Sequence, residues 1–213
     1  MNYFSSWSGG KDSCLALHRA VQEWGLPACL FNMLSEDGVH SRSHGLPRHI
    51  LEAQAAAVGV PIRFGCASWE DYEAHFIAQL TELREPGVEA GVFGDIDLDV
   101  HREWEEKVCG AAGMAAHLPI WREDHAALMA ELLEAGYQAR IVTVRLDALP
   151  ERFLGEVITA QLVREIADLG VDVIGEGGEF HTLVFAGPLL REPVAHEGVG
   201  VRRIPGYATL EVR

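Results

Sequence analysis

Lysine is nearly absent from this sequence of 213 residues: Lys11 and Lys107 are the two present, and arginine supplies the remaining positive charge. Lysine and arginine total 17 against 32 aspartates and glutamates, a formal charge of −15. A protein that wraps RNA or DNA neutralises phosphates with a basic surface, so this shortage argues against nucleic acid as the partner. A short basic groove stays open. Cysteine is also scarce, and Cys14, Cys29, Cys66 and Cys109 form no C-x-x-C pair. That spacing fits neither a zinc knuckle nor a redox dithiol. Each lies in an apolar run and reads as a reduced core cysteine of a cytosolic protein. No apolar run approaches the ~20 residues of a membrane span. No charged, apolar, small-residue leader opens the chain. Repeats and low-complexity segments are missing too. The expectation is a soluble cytoplasmic protein without membrane contact, and self-association stays open. A chain this long suits one large domain or one and a half, and buries roughly 70% of its unfolded surface without a disulfide or metal staple.

What is present alternates. Asn2–Trp7 reads as a strand, broken by Ser8-Gly9-Gly10, and a helix follows with Cys14, Leu17, Val21 and Trp24 on one face. Ala28–Leu34 is a continuous apolar run, as in a sheet covered on both faces. Pro47 opens a second helix that ends at Gly59, and Ile62–Cys66 reads as a third strand. Ser68 and Asp71 mark a third helix start, with Trp69, Tyr72, Phe76, Leu80 and Leu83 as its buried stripe. Gly91–Phe93 and Ala115–Ile120 read as strands around a helix carrying Val100, Trp104, Val108 and Ala111. Such alternation implies parallel strands joined by right-handed crossovers, a doubly wound α/β domain. After Trp121 the rhythm changes: helix Asp124–Ala135, strand Ala139–Leu146, a helix with Ile158, Leu162, Ile166 and Leu169, then short strands at Val171–Ile174 and Thr182–Phe185. Residues 1–120 are therefore predicted as the α/β domain and 121–213 as a smaller α+β lobe.

The chemistry concentrates at chain punctuation. Ser8-Gly9-Gly10-Lys11-Asp12-Ser13 joins the first strand to the first helix, at the sheet edge where ligands bind. Two glycines allow a nest of N–H groups, and the helix N-terminus adds partial positive charge, so the loop favours a phosphate. Lys11 would add a point charge, and the Ser8 and Ser13 hydroxyls further donors. The spacing is not that of a Walker A loop. Gly94-Asp95 ends a strand, and Asp95 and Asp12 are the candidates for Mg²⁺ or nucleotide contact, with helix capping as the plainer role of Asp95. Asp95, Asp97, Asp99 and Glu106 imitate a calcium loop, but Val100 stands where the turn glycine belongs; Asp99 reads as a helix cap. His40, His44 and His49 lack a cysteine or carboxylate to complete a zinc set. Glu176 and Glu179 flank two glycines, so backbone can approach a ligand there; these acids can hold Mg²⁺, orient ammonium, bind a cationic group or cap neighbouring elements. His181 can shuttle a proton or donate to a substrate. Trp104 reads as core, and Arg102 as a residue turned to the cleft.

SGGKDS behind an N-terminal strand resembles the PP-loop of the ATP pyrophosphatases. The likeness continues through Gly94-Asp95-Ile96, Arg102-x-Trp104-Glu105, Pro119-Ile120-Trp121, Phe153-Leu154-Gly155 and Gly175-Glu176-Gly177-Gly178-Glu179-Phe180-His181-Thr182, which look like the diphthine–ammonia ligase family. The resemblance implies a five-stranded parallel sheet of the PP-loop, adenine nucleotide alpha hydrolase-like kind. It implies a ligase that uses ATP and Mg²⁺ to adenylate a carboxylate, releases pyrophosphate, and lets ammonia displace AMP. Lys11, Asp12, Glu176, Glu179 and His181 would be catalytic. Ser8, Gly9, Gly10, Lys11, Asp12, Ser13, Gly94 and Asp95 would hold the nucleotide, and His44, Arg102, Gly177, Gly178 and Thr182 the substrate. Eukaryotic and archaeal members usually carry Glu where this chain has His181. Bacterial relatives, some linked to cobamide metabolism, tend to have His there, so the likeness is to a bacterial-type member whose acid, a protein side chain or a small molecule, is open. The rival readings are a small-molecule PP-loop enzyme, a tRNA-modifying enzyme with the same loop and a non-catalytic ATP sensor.

Overall fold

Tyr3 and Phe4 are neighbours in sequence and both fully buried, yet they belong to different hydrophobic clusters. Successive side chains of a strand point to opposite faces, so this pair alone requires a sheet covered on both sides. The computed structural model, which describes every residue except Ser43 and Glu85, shows that sheet. Strands β1 (Tyr3–Ser6), β2 (Cys29–Leu34), β3 (Ile62–Cys66), β4 (Ala90–Val92) and β5 (Ala115–His117) run parallel in the order β3-β2-β1-β4-β5. Helices α1 (Lys11–Trp24) and α2 (Arg48–Val58) cover the Tyr3 face. Helices α3 (Tyr72–Arg84) and α4 (Asp99–Ala111) cover the Phe4 face, where Phe4, Phe31, Phe76 and Phe93 pack edge to face. From β1 the chain steps outward to β2 and β3, then returns to β4 on β1's other side. That reversal opens a crevice at the carboxyl ends of β1 and β4.

The remainder contributes α5 (His125–Glu134), β6 (Gln138–Arg145), α6 (Ala160–Asp168), β7 (Phe180–Ala186), β8 (Gly198–Ile204) and β9 (Tyr207–Val212). Asp124 caps α5 by accepting from the Ala127 N–H, and Thr159 caps α6 through the Leu162 N–H. The four strands form an antiparallel sheet in the order β7-β6-β9-β8. Its residues Ile141, Val144, Phe180 and Val184 join the same cluster as Tyr3, Leu17 and Leu51, so this sheet packs onto the α1–α2 side of the first. The fold is a doubly wound α/β sheet with a smaller antiparallel sheet docked against it.

Several local expectations change. Trp69 lies before α3 and is 72% exposed, because the Ser68 turn, closed by the Asp71 N–H, precedes the helix proper. Val100 is 70% exposed and Ala111 is exposed; the buried face of α4 is Glu105, Val108 and Cys109. Asp99 is the first residue of α4, with Leu98 at the cap position, and its carboxylate pairs with Arg122 and Arg102. Val171–Ile174 is a turn and not a strand, since Asp172 accepts from the backbone N–H of Ile174 and Glu176. The four cysteines are free, but Cys66 is exposed. Among the described residues no helix is long and apolar enough to cross a membrane.

Candidate active site

Residues 7–10 turn the chain between β1 and α1 at the crevice. Gly9 has φ +84°, and a side chain there would lie 2.7–2.9 Å from Leu46, Gln54 and Leu51, so both backbone and space demand glycine. The Ser8 and Ser13 hydroxyls sit 3.0 Å apart, and Ser13 donates to the Gly10 carbonyl at 3.1 Å. The loop closes the edge of the second sheet. Among the described residues strand β7 has no neighbouring strand on one side, and its outward groups are met there: the Val184 N–H donates to the Gly9 carbonyl at 2.9 Å, and the Thr182 carbonyl accepts from His44 Nδ1 at 2.8 Å. Gln54, fully buried, accepts from Trp7 Nε1 at 2.9 Å and donates to the carbonyls of Gly9 and Val184 at 2.9 and 2.7 Å. Thr182 Oγ1 accepts the Lys11 N–H at 3.0 Å. Loop geometry therefore depends on a strand more than 170 residues away in the chain.

A cavity of about 200 Å³ opens beside the loop, bordered by Ser8, Asp12, Ser13, Asp95, Glu176 and His181. Gly94 lets the β4 end approach α1: a Cβ there would stand 2.6 Å from the Ser13 nitrogen and 2.7 Å from the Asp12 carbonyl carbon. Acids dominate. Burial pushes Asp12 above the usual carboxylate range, with Lys11 opposing and Asp95 adding to the rise. Burial, then Asp12 and Asp95, raises Glu176 to about 7, although its Oε1 accepts from the Ile96 N–H at 2.9 Å. Asp95 is held below its ordinary value despite burial, because His101 Nδ1 lies 2.6 Å away and Glu105 hydrogen-bonds to it. Glu105, 4% exposed, is raised to about 11 by burial and by Asp95, so it carries its proton at neutral pH. His181 and His44 stack with centroids 4.7 Å apart. Burial first and the Lys11 charge second lower His181 to about 4; burial and His181 take His44 well below the ordinary imidazole value. Both rings are neutral at pH 7.

The crevice gathers some of the residues expected from sequence and disperses others. Ser8, Asp12, Ser13, His44, Gly94, Asp95, Glu176 and His181 all border the cavity. Lys11 does not: it is 2% exposed, with Nζ 2.8 Å from Asp12 Oδ2 and 5.1 Å from the Phe180 ring centre. Glu179 turns back over its own loop towards Arg145, 3.5 Å away, and Arg145 also donates to the Gly177 carbonyl. Gly177 and Gly178 shape that loop away from the cavity wall, and Thr182 is buried beneath the PP-loop. Arg102 lies over the Trp121 ring at 5.0 Å and within ion-pair reach of Asp99 and Glu106, outside the cavity. Sequence reading passed over His101 and gave Glu105 no role, although Glu105 stands in the Arg102-x-Trp104-Glu105 motif and in register with Val108 and Cys109. It also passed over Arg42 and Gln54, for which no local pattern exists. His125 bridges Asp172 at 2.9 Å and Asp97 at 3.3 Å, tying the Gly-Glu loop to the β4–α4 turn.

Among the described residues no three or more histidine, cysteine or acidic side chains form a metal cage. Mg²⁺ carried on phosphates uses one or two carboxylates and completes its shell with phosphate oxygen and water. Asp12 and Asp95 fit that role; a resident zinc would need more.

Comparison with known proteins follows this geometry. Residues 1–116 match the Diphthamide synthase N-terminal domain, and residues 124–199 the Diphthamide synthase C-terminal domain. The chain belongs to the diphthamide synthase family. The relatives that the chain matches are called diphthine–ammonia ligase, an amide-forming ligase. A protein of Danio rerio called diphthine–ammonia ligase is 24% identical over 211 residues, covering 88% of this chain and 83% of that relative. The human protein of the same name is also 24% identical and covered over 79% of its length. The Schizosaccharomyces pombe relative is 25% identical, and this chain spans 34% of it.

Proposed function

We propose that this diphthamide synthase family member adenylates a carboxylate at the expense of ATP and transfers the acyl group to ammonia, a reading supported by the name diphthine–ammonia ligase that its relatives carry. The observation that carries the reading is the cavity itself: two loop hydroxyls, a helix N-terminus and three carboxylates converge at the point where strand order reverses. The triphosphate lies along Ser8–Ser13, where the Ser8 and Ser13 hydroxyls exchange their bonds to each other and to the Gly10 carbonyl for phosphate oxygens. Bound with the nucleotide between Asp12 and Asp95, Mg²⁺ would neutralise phosphate charge. Lys11 exchanges Asp12 for phosphate as the nucleotide enters. A carboxylate oxygen attacks the α-phosphorus, and the bond to the β-phosphate breaks, releasing pyrophosphate. Ammonia then attacks the acyl carbon and AMP leaves with the former carboxylate oxygen. Glu176, poised at about 7, accepts the proton from the attacking nitrogen. Neutral His181 and His44 offer hydrogen bonds to the acyl group without adding charge. His181 stands where the resemblance places glutamate in eukaryotic members, so the acid is open between a protein side chain such as diphthine and a small molecule.

The test is product analysis with α-labelled ATP, Mg²⁺, ammonium and either diphthine-bearing elongation factor or a small-molecule extract, beside Lys11→Ala. AMP and pyrophosphate, dependent on the acid and lost in the variant, are expected. ADP and phosphate would overturn adenylation, and tight ATP binding without turnover on either acid source would favour the sensor.

A further inference from the structure

On the α3 side of the same sheet edge a second pocket of about 340 Å³ adjoins the phosphate cavity. The two share Ser6, Ser8, Asp95 and His101, so a molecule in one can present an atom to a molecule in the other. Its volume falls within the range of small-molecule sites, ~300–1,000 Å³. The wall is aromatic. The Tyr72 ring centre lies 5.6 Å from Trp69 and 5.7 Å from Trp104, and Phe76 stands 4.9 Å from Trp104. Trp69 is left largely in solvent, an unusual position for an indole that takes no part in recognition.

Arg42 crosses this wall. Its guanidinium lies 4.4 Å from the Trp69 ring centre and 5.3 Å from that of Tyr72. One Nη donates to the Ala67 carbonyl, while Nε is buried and has no hydrogen-bond partner among the described residues. A buried donor left unmade costs free energy that an acceptor would recover. The planar fork of a guanidinium stacked on aromatic rings is matched by a carboxylate. Charge leads to the same place. Among the described residues, neither the phosphate cavity nor this pocket is lined by any other arginine or lysine. Lys11 is buried against Asp12, His101 is bound to Asp95, and His44 and His181 are neutral. An incoming acid therefore meets one unspent cation.

We propose that this pocket is the acyl-substrate subsite, in which Arg42 takes the carboxylate to be activated and Tyr72, Phe76 and Trp104 take an apolar or aromatic body attached to it. The substrate class is a carboxylic acid with a compact hydrophobic or aromatic side, held beside Ser8 so that its oxygen faces the α-phosphate. The fate of that carboxylate rests on the ligase reading; its binding does not.

The experiment uses phenylacetate as probe, benzylamine as the charge-inverted control and the indole N–H signals of the ¹⁵N-labelled protein, assigned with Trp→Phe variants. Phenylacetate is expected to move the Trp69 and Trp104 signals at millimolar concentration, and benzylamine to leave them in place. Arg42→Gln should weaken phenylacetate about tenfold or more, the loss expected for hydrogen bonds to a charged group. Mg-ATP affinity, read by calorimetry, should be unchanged in that variant, and Arg42→Lys should restore part of the phenylacetate binding. Unmoved Trp69 and Trp104 signals, equal binding of benzylamine, or a loss of ATP affinity matching the loss of phenylacetate would overturn the proposal. Arg42-dependent phenylacetate binding in a protein that makes ADP from ATP would uphold the subsite and overturn the ligase reading.

Discussion

Replacing Gln54 by leucine tests whether the loop is held from beneath by a single amide. The side chain is fully buried and makes three hydrogen bonds, to Trp7, Gly9 and Val184. In Gln54→Leu the Gly9 carbonyl keeps its second donor, the Val184 N–H at 2.9 Å. Trp7 Nε1 and the Val184 carbonyl are left without partners. Each orphaned buried group costs about 1–3 kcal/mol, and leucine's similar volume leaves little cavity to add. Allowing for the better burial of leucine, a loss of about 3 kcal/mol follows. For a chain of this length that lowers Tm by about 6–12 °C. Urea titration followed by tryptophan fluorescence reads the stability, with an unchanged m-value showing that the unfolded state is not the cause. ATP affinity should fall as well, because Gly9 loses one of the two donors that fix its carbonyl. A change below about 1 kcal/mol would refute the argument, showing that water or a backbone shift re-satisfies Trp7 and Val184.

Glu176 is raised on folding, so the folded state keeps its proton while the unfolded chain releases it; stability should fall as pH rises from about 4.5 to 7, and Glu176→Gln should remove that slope in urea titrations across the window. Parallel curves for the two proteins would contradict the sign. Because Glu105 is already neutral, Glu105→Gln should stay within about 1 kcal/mol of wild type at pH 7 in the same assay, keeping a donor towards Asp95. Gly94→Ala places a methyl group against backbone of Asp12 and Ser13, which cannot swing aside as a side chain would. It should cost about 1–3 kcal/mol of stability and weaken Mg-ATP in calorimetry, and normal affinity would show that the β4 end is free to withdraw.

Local sequence carries the α/β sheet because its signals are local. The apolar run of β2, the bounds of β3 and the break at Ser8-Gly9-Gly10 follow from periodicity and glycine alone. The order of strands follows from right-handed crossovers only in part, and the sheet-edge position of the loop follows with it. The same local rules failed where a neighbour from elsewhere in the chain decides. Val171–Ile174 has strand-like composition, but Asp172 captures its backbone. Trp69 looks like the start of a buried stripe, yet it lies ahead of α3 against Arg42. Loop residues Ser8 to Ser13 were legible as a strand-to-helix turn at the sheet edge, whereas the inward turn of Lys11 depends on Asp12 and Phe180. Composition and spacing determined which groups this protein owns and roughly where the chain bends. Tertiary structure alone decided which carboxylates sit close enough to keep protons, which strand edge closes the loop and which cation is left unpaired, because each of those is a through-space energy between residues that sequence distance does not encode.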